Sequence, residues 1–301
     1  MAASSALSIA VSEPSRILFQ SPLVQVGEFR CPTSHPRFGD TGPTKRYCFV
    51  FPRTAVWIQH EGRQAFVADS NVVPLYNAGY PYRRRPISRD GDRTDWFGVD
   101  PAVLREMLKA HDSIAADADS RLFRFDYARV TQQAFLRQRD VFTHVRSLPS
   151  ADSLYIEESV IGVLEEMLSS LYGHRSVVSM TAKHRDLAEA AKASINLGVA
   201  DQGGLCALAR SVGASVFHLC RVFREYSGST LHRYRNDLRL RRSLELLDDA
   251  GDDILDIAIL LGYSGHSHFT GAFHRAFGLT PSQYRAASRK NLLVEPHAAR
   301  L

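Results

Sequence analysis

Residues 205–235 read LCALARSVGASVFHLCRVFREYSGSTLHRYR, and residues 255–285 read LDIAILLGYSGHSHFTGAFHRAFGLTPSQYR. The two are one pattern written twice. Ala209 and Gly213 recur 49 positions later as Ala258 and Gly262. Phe223, Gly228, Tyr234 and Arg235 recur 50 positions later as Phe273, Gly278, Tyr284 and Arg285. A repeat of this length means one supersecondary unit used twice.

Each copy predicts a helix, a tight turn and a second helix. In the first copy Leu205, Leu208, Ala209 and Val212 share one helical face. Gly213 stands where the turn needs positive φ, and Ser215 at the expected N-cap. The following helix turns Leu219, Val222, Phe223 and Tyr226 inward. Its other face carries Phe217, Cys220, Arg221 and Arg224, at i, i+3, i+4 and i+7. In the second copy Ile257, Ala258 and Leu261 lead to Gly262, and Phe269, Ala272, Phe273 and Phe277 form the inward stripe. Ser267, Thr270, Gly271 and His274 face out. Glycine turns and apolar stripes also build ordinary helical bundles. Two copies in register, joined by Arg233, Arg235, Arg239, Arg241 and Arg242 with only Asp237 opposing them there, favour a pair of DNA-reading helices. A short helix with an apolar back and a basic front is what a major groove admits.

In these residues the chain resembles the C-terminal DNA-binding domain of the AraC/XylS family of bacterial transcription regulators. GLTPSQYR at 278–285 is similar to the family's closing signature, and IAILLGYSGHSHFTGAFHRAFG to the run before it. The resemblance covers residues 183–290. It implies an all-α domain of seven helices, in which a linker helix joins two helix-turn-helix units. It also implies that Phe217, Cys220 and Arg221 face bases from the first recognition helix, and His266, Ser267 and Gly271 from the second. With the flanking positions of the same faces, the expected DNA-binding set is Phe217, Cys220, Arg221, Arg224, His266, Ser267, Thr270 and His274. Two positions depart from the family pattern: Gly271 is commonly Arg, and Gly265 is more often Ser or Asp. A glycine inside a helix costs about 1 kcal/mol against Ala. The second unit is therefore expected to hold the DNA backbone more than to read bases.

The 301 residues predict two domains with a full core. A net charge of +5, from 37 Lys and Arg against 32 Asp and Glu, suits a polyanion partner without demanding one. The four cysteines, at 31, 48, 206 and 220, form no CxxC pair and suit a reducing cytoplasm. Residues 1–15 lack a basic region before an apolar one, so no signal peptide is expected. No apolar run approaches about 18 residues, the length a membrane span needs.

From residue 17 to 97 short apolar runs alternate with Gly, Pro and Asp. Residues 47–51, 55–60, 63–68, 71–76 and 80–87 predict strands, with Glu61-Gly62 as a hairpin turn. Such spacing suggests a small β-barrel or sandwich. The family resemblance implies a jelly-roll, cupin-like sensor domain for a small effector. Metal-binding cupins generally carry an HxH pair, which this stretch lacks. Cys31 and His35 supply two zinc-type ligands and no third, so no metal or other cofactor is expected. Cys31 and His35 are expected to pack or to line the barrel mouth, and His35 is carried forward as a candidate effector contact. Arg83, Arg84, Arg85, Arg89 and Arg93 crowd one segment. Charge runs are usually solvated; the sharper reading makes Arg83 and Arg85 a rim for an anionic effector, through guanidinium forks.

Residues 101–172 predict helices. Pro101 suits a first helical turn, and Val130, Phe135, Val141, Phe142 and Val145 make a second stripe. The most apolar helix, 152–172, carries Ile156, Val160, Val163, Leu164, Met167, Leu168 and Leu171. Packing inside the chain and a family-type dimer interface are both open for it.

The chain thus reads as α+β: a flexible N-terminus (1–16), a cupin-like β sensor domain (17–100), a helical linker and dimerisation region (101–182), the DNA-binding domain (183–290) and a tail (291–301). The expected function is a cytoplasmic, effector-responsive transcription activator. It acts as a homodimer on promoter DNA beside RNA polymerase, with two recognition helices in successive major grooves. The other class considered is a DNA-binding domain fused to an enzyme, with Cys31 as an alkyl-accepting nucleophile. The clustered cysteines that reading needs are absent, and no Ser/His/Asp signature, phosphate loop or Rossmann glycine run appears. No catalytic residue is expected.

Overall fold

The computed structural model describes residues 13–112, 114, 121–147, 152–173, 180–248 and 252–290. Nine strands are described: β1 (Ser15–Gln20), β2 (Val24–Cys31), β3 (Tyr47–Pro52), β4 (Val56–His60), β5 (Phe66–Ala68), β6 (Val72–Tyr76), β7 (Tyr82–Pro86), β8 (Asp92–Val99) and β9 (Tyr127–Arg129). They form an antiparallel sheet in the order β1-β2-β8-β3-β6-β9 and a smaller one in the order β5-β4-β7. Alternation along each strand divides the side chains between two layers. Phe49, Phe51, Phe97 and Val99 face the helices. Cys31, Cys48, Val50 and Tyr76 face the smaller sheet, with Phe29 and Trp96 packed among them.

The strands expected at 47–51, 55–60, 63–68, 71–76 and 80–87 correspond to β3 through β7. The Glu61-Gly62 turn forms, with Gly62 at φ 70° and Arg63 N–H donating to His60 O at 3.0 Å. The central strands β2 and β8 carry no clean apolar alternation. The reason is that a buried ion network continues the helix-facing side beyond Val24, Val26, Phe97 and Val99, where apolar residues would otherwise complete the alternation. Asp95 on β8 is 0% exposed, and Arg53 at the end of β3 donates to its Oδ2 through Nε at 2.8 Å and also through Nη2. Arg139 lies 3.9 Å from the same oxygen. Burial pushes the Asp95 carboxyl up, but the Arg53 and Arg139 guanidinium groups outweigh it and hold the carboxyl below its ordinary value.

Two boundaries differ from expectation. β1 begins at Ser15, inside the stretch expected to be a flexible N-terminus. β9 lies in the expected helical linker yet completes the large sheet beside β6. The linker boundary at 100 therefore cuts through the β domain, because a three-residue strand is too short to show a period of two. Residues 1–12, 174–179 and 291–301, which include most of the expected N-terminus and the whole expected tail, lie outside the described residues.

Helices α1 (Pro101–Lys109), α2 (Gln132–Ser147) and α3 (Ser153–Gly173) cover the large sheet. Asp100 Oδ1 caps α1 through Ala102 N at 2.9 Å. The α3 stripe is buried within the chain, with Ile156, Val160 and Leu164 at 0% exposure. Intramolecular packing, not an open dimer face, accounts for its apolar character.

Then follow α4 (Ala182–Asn196), α5 (Val199–Ser211), α6 (Val216–Ser227), α7 (Leu231–Asp248), α8 (Ile254–Leu260), α9 (His266–Phe277) and α10 (Pro281–Lys290). Helix α5 kinks at Gly204, which takes φ 63° and ψ −156°. The first helix-turn-helix has its own small core, built from Ala188, Ala191, Leu208, Leu219, Phe223 and Tyr234. The second shares its core with the rest of the chain. Phe269, Phe273 and Tyr284 belong to one apolar cluster with Leu240 and Leu244 of α7, Phe135 and Phe142 of α2, and Phe97 of the sheet.

Candidate nucleic-acid interface

The doubled pattern becomes doubled geometry. Gly213 and Gly262 make the two turns at φ 66° and 75°, and Gly228 and Gly278 end the two recognition helices at φ 67° and 78°. Leu208 and Ala209 are buried at the points where Ile257 and Ala258 are buried in the second copy. Leu219, Val222 and Phe223 anchor α6 inward, and Phe269, Ala272, Phe273 and Phe277 anchor α9. The helix starts are unequal. Ser215 Oγ accepts from His218 N at 3.2 Å, whereas Gly265 offers α9 no side-chain cap. That is the difference expected from glycine at this position.

The outward faces are open. On α6, Phe217 is 80% exposed, Arg221 and Arg224 are exposed, and Cys220 is half-buried. An exposed phenylalanine of this degree beside two guanidinium groups has no role in the core and fits contact with a partner. On α9, His266, Ser267 and His274 are exposed, and Thr270 is half-buried with Oγ1 lacking a hydrogen bond. A Cβ added at Gly271 would stand 3.5 Å from Arg275 Nη1. So an exposed guanidinium lies beside the place where the family pattern puts one. Arg275 was not in the expected set; its position four residues after Gly271, on the same face, is the signal that reveals it.

The back of α6 is tied to the β domain. Tyr226 Oη donates to Glu189 Oε1 at 2.7 Å and lies 3.0 Å from Tyr127 Oη. Arg129 of β9 donates to Tyr226 O at 2.8 Å. Glu189 Oε2 also accepts from Val67 N at 2.5 Å, and buried Lys192 donates to Oε1 at 2.7 Å. Burial, followed by the nearby Tyr127 and Glu189, pushes the Tyr226 hydroxyl far up, so it stays a donor. Farther along, Tyr234 Oη donates to Asp69 Oδ2 at 2.6 Å.

One of the expected basic residues between the copies is not available to DNA. Arg241 is 3% exposed and donates to Gln132 Oε1 at 3.0 Å, Ser70 O at 2.6 Å and Val130 O at 2.8 Å. It is a structural pin between α7 and the β domain. Arg233 and Arg242 remain exposed.

A second candidate site lies between the two sheets. The cavity there has a volume of about 440 Å³, with Phe29, Tyr76, Tyr82 and Trp96 in its walls. His35, Arg46 and Asp92 line it, and His35 Nε2, Arg46 Nη1 and Asp92 Oδ1 are buried without a hydrogen-bond partner. Backbone Arg37 N–H donates to His35 Nδ1 at 3.1 Å, so the imidazole carries a proton on Nε2. Two buried donors and one acceptor thus converge on a walled space, a combination that buried polar groups seldom leave unfilled.

Of the expected effector residues, His35 lines this cavity, and Arg83 and Arg85 do not. Both are exposed on β7, and Arg85 stacks over Trp57 on the outer face. Arg84, between them, is the inward one. It is 3% exposed and donates to Asp92 Oδ2 at 2.7 Å. A strand alternates, so the guanidinium that faces in excludes its two neighbours. Cys31, the nucleophile of the enzyme reading, is 2% exposed, and burial pushes its thiol up despite Arg84. A buried protonated thiol is inert.

Comparison with known proteins gives a consistent result for the C-terminal part. A family model described as a helix-turn-helix domain matches residues 208–287. The chain is similar to the probable transcription factor PqrA of Proteus vulgaris, 36% identical over 78 residues that make up 26% of this chain and 64% of the other. It is similar to the HTH-type transcriptional regulator GlxA of Rhizobium meliloti (strain 1021), 39% identical over 82 residues, or 27% of this chain and 25% of the other. Among solved structures, a transcriptional regulator with an AraC-type DNA-binding domain from Chromobacterium violaceum matches at 27% identity and a TM-score of 0.33, covering 36% of this chain and 96% of that one. The chain spans under two-thirds of the length of these curated relatives, 64% of the first and 25% of the second.

Proposed function

Because its C-terminal helix-turn-helix domain belongs to the AraC/XylS family, we propose that this protein is an effector-responsive transcription factor. It binds promoter DNA through residues of α6 and α9. The observation that carries the reading is the exposed pair of recognition faces, above all Phe217, Arg221 and Arg224, on helices whose backs are fully engaged. Phosphate contacts from Arg and Lys supply affinity, and side chains in two successive major grooves supply specificity. In this reading the protein is a cytoplasmic homodimer that works beside RNA polymerase as an activator, as the family resemblance implies.

The test uses the full chain, because Tyr234, Arg241 and the second unit's core depend on the N-terminal half. Gel shifts on DNA from the protein's own promoter region should show a discrete complex at low salt. The observed affinity should fall linearly on a log–log plot of salt concentration, as counterions are released. Absence of any complex at low salt, with folded protein, would falsify the proposal.

We read the N-terminal half as a cupin-like sensor whose effector occupies the cavity between the sheets. His35, Arg46 and Asp92 would anchor the ligand, and the aromatic walls would hold its body. The chain has 2 Trp, and Trp57 lies on the outer face, so Trp57→Phe leaves Trp96 as the sole indole reporter, inside the cavity. A metabolite that enters should change Trp96 fluorescence and also shift promoter affinity. A ligand shifts that affinity only through unequal binding to two states of the protein. If every compound that alters Trp96 emission leaves promoter affinity unchanged, the cavity is not a regulatory site.

A further inference from the structure

The 50-position offset that relates the two recognition helices pairs Arg221 with Gly271, Arg224 with His274 and Glu225 with Arg275. In α6 the arginine is followed one turn later by an acid. In α9 the glycine is followed one turn later by an arginine. The guanidinium is thus attached four residues farther on, about 6 Å along the helix axis, a distance an arginine side chain spans. Cα–Cβ bonds in an α-helix tilt toward its N-terminus, so a long side chain covers the turn before its own Cα. Arg275 lies in this way: the atom that a Cβ at Gly271 would meet is Arg275 Nη1, at 3.5 Å. A last-turn arginine that served the C-terminal carbonyls would turn toward Gly278 instead. Arg275 is exposed, and among the described residues no carboxylate forms an ion pair with it. Its guanidinium lies beside bare backbone, on the face that also carries the exposed Ser267 and His274.

We propose that Arg275 is the base-reading side chain of the second recognition helix, its guanidinium held at the level of Gly271, where the first helix carries Arg221. The inference rests on the DNA-binding reading of α6 and α9, and it names the residue that gives the second unit its specificity. A guanidinium at this level forks onto guanine N7 and O6, a planar pair of hydrogen bonds that a lysine ammonium does not reproduce. Phe269, Ala272, Phe273 and Phe277 fix the back of α9, so the front is presented at a set depth. Glycine at 271 then has a use. A residue larger than alanine there would occupy the strip across which the Arg275 side chain lies.

The test is selection of bound sequences from a random pool by the full chain and by its Arg275→Lys, Arg275→Ala and Arg221→Ala variants, followed by titration of the parent's preferred site. Both Arg275 variants should lose about tenfold in discrimination at one base pair. That pair should lie about 10 base pairs from the one that Arg221→Ala relaxes, in the other half of the site. Arg275→Lys should keep the parent's salt dependence, since it keeps the charge. Replacing the guanine of that pair by 7-deazaguanine removes the N7 acceptor. It should weaken the parent about fivefold and leave Arg275→Ala unchanged, because the donor is already gone. Arg275 is exposed, so the variants should melt with the parent, and a thermal scan checks that they do. The proposal is overturned if both variants select the parent's sequence with the parent's stringency. It is also overturned if Arg275→Ala weakens all sequences equally and lowers the salt slope by about one while Arg275→Lys binds as the parent does; Arg275 then grips a phosphate. If the parent itself selects no sequence, the DNA-binding reading is what fails, and this inference falls with it.

Discussion

Asp95→Ala should destabilise the protein by about 3–5 kcal/mol, the cost of leaving a buried charge without its partner. The carboxylate is fully buried and holds Arg53 on one side and Arg139 on the other. Arg30 and Arg146 approach its second oxygen at 3.5 and 3.8 Å. Truncation leaves Arg53 and Arg139 facing each other in the same dry volume, with Glu245 at 3.6 Å from Arg53 and Asp248 beside Arg139 as the carboxylates that remain. A buried ion pair is in itself weak support for stability, and the large effect comes from removing only one sign. The urea midpoint measures it, and a loss below about 1 kcal/mol would show that water or local movement relieves the two arginines. The pH dependence follows in sign. The folded carboxyl lies below its unfolded value, so this stabilisation is fully present above the unfolded pKa of about 4. It is lost as pH falls through the folded value. The parent should lose stability on acidification below about pH 4, and Asp95→Ala should lose less over that window.

Arg221→Ala should cost about 1–3 kcal/mol on the preferred DNA site and relax discrimination at one base pair. Arg221 is exposed on a helix fixed by Leu219, Val222 and Phe223, and its guanidinium can fork onto guanine O6 and N7. The corresponding residue in the second unit is Gly271. Gly271→Ala places its Cβ at ordinary contact distance from Arg275 Nη1, so base preference should stay nearly unchanged. Gly271→Arg is expected to create a new preference in the second half of the site. Selection of bound sequences from a random pool distinguishes the cases. If Arg221→Ala weakens all sequences equally, Arg221 grips phosphate and does not read bases. A reshuffled preference with Gly271→Ala would mean that α9 reads DNA through its backbone position.

The two helix-turn-helix units were legible because a local rule governs each part: a glycine at positive φ, an apolar stripe at helical spacing, a serine cap. Strands β3 to β7 were legible for the same kind of reason. β2 and β8 were not, because Asp95, Arg53 and Arg139 replace apolar contacts with ion pairs whose partners lie far apart in the chain. The effector residues show how narrow the margin is. The arginine cluster was visible, but choosing Arg83 and Arg85 over Arg84 inverts the strand, and only the pairing of Arg84 with Asp92 fixes which face is in. Arg241 was counted with the basic residues between the copies. Nothing local marks it as a buried pin, since Ser70, Val130 and Gln132 come from elements distant in sequence.

The unequal anchoring of the two reading units bears on how this molecule can be taken apart. The first unit meets the β domain mainly through hydrogen bonds around Tyr226, Glu189 and Asp69, on top of a core of its own. The second is continuous with the apolar cluster that runs through α2 into the sheet. A chimera that grafts a foreign sensor onto this DNA-binding domain must therefore supply more than a linker of the right length. It must reproduce the surface that Leu240, Leu244 and Phe273 rest on, or the second reader loses its footing while the first stays folded. In sequence divergence, the same asymmetry ties α2 to α7 and α9, so that substitutions on one of these helices demand matching changes on the others, and leaves the first unit freer to drift.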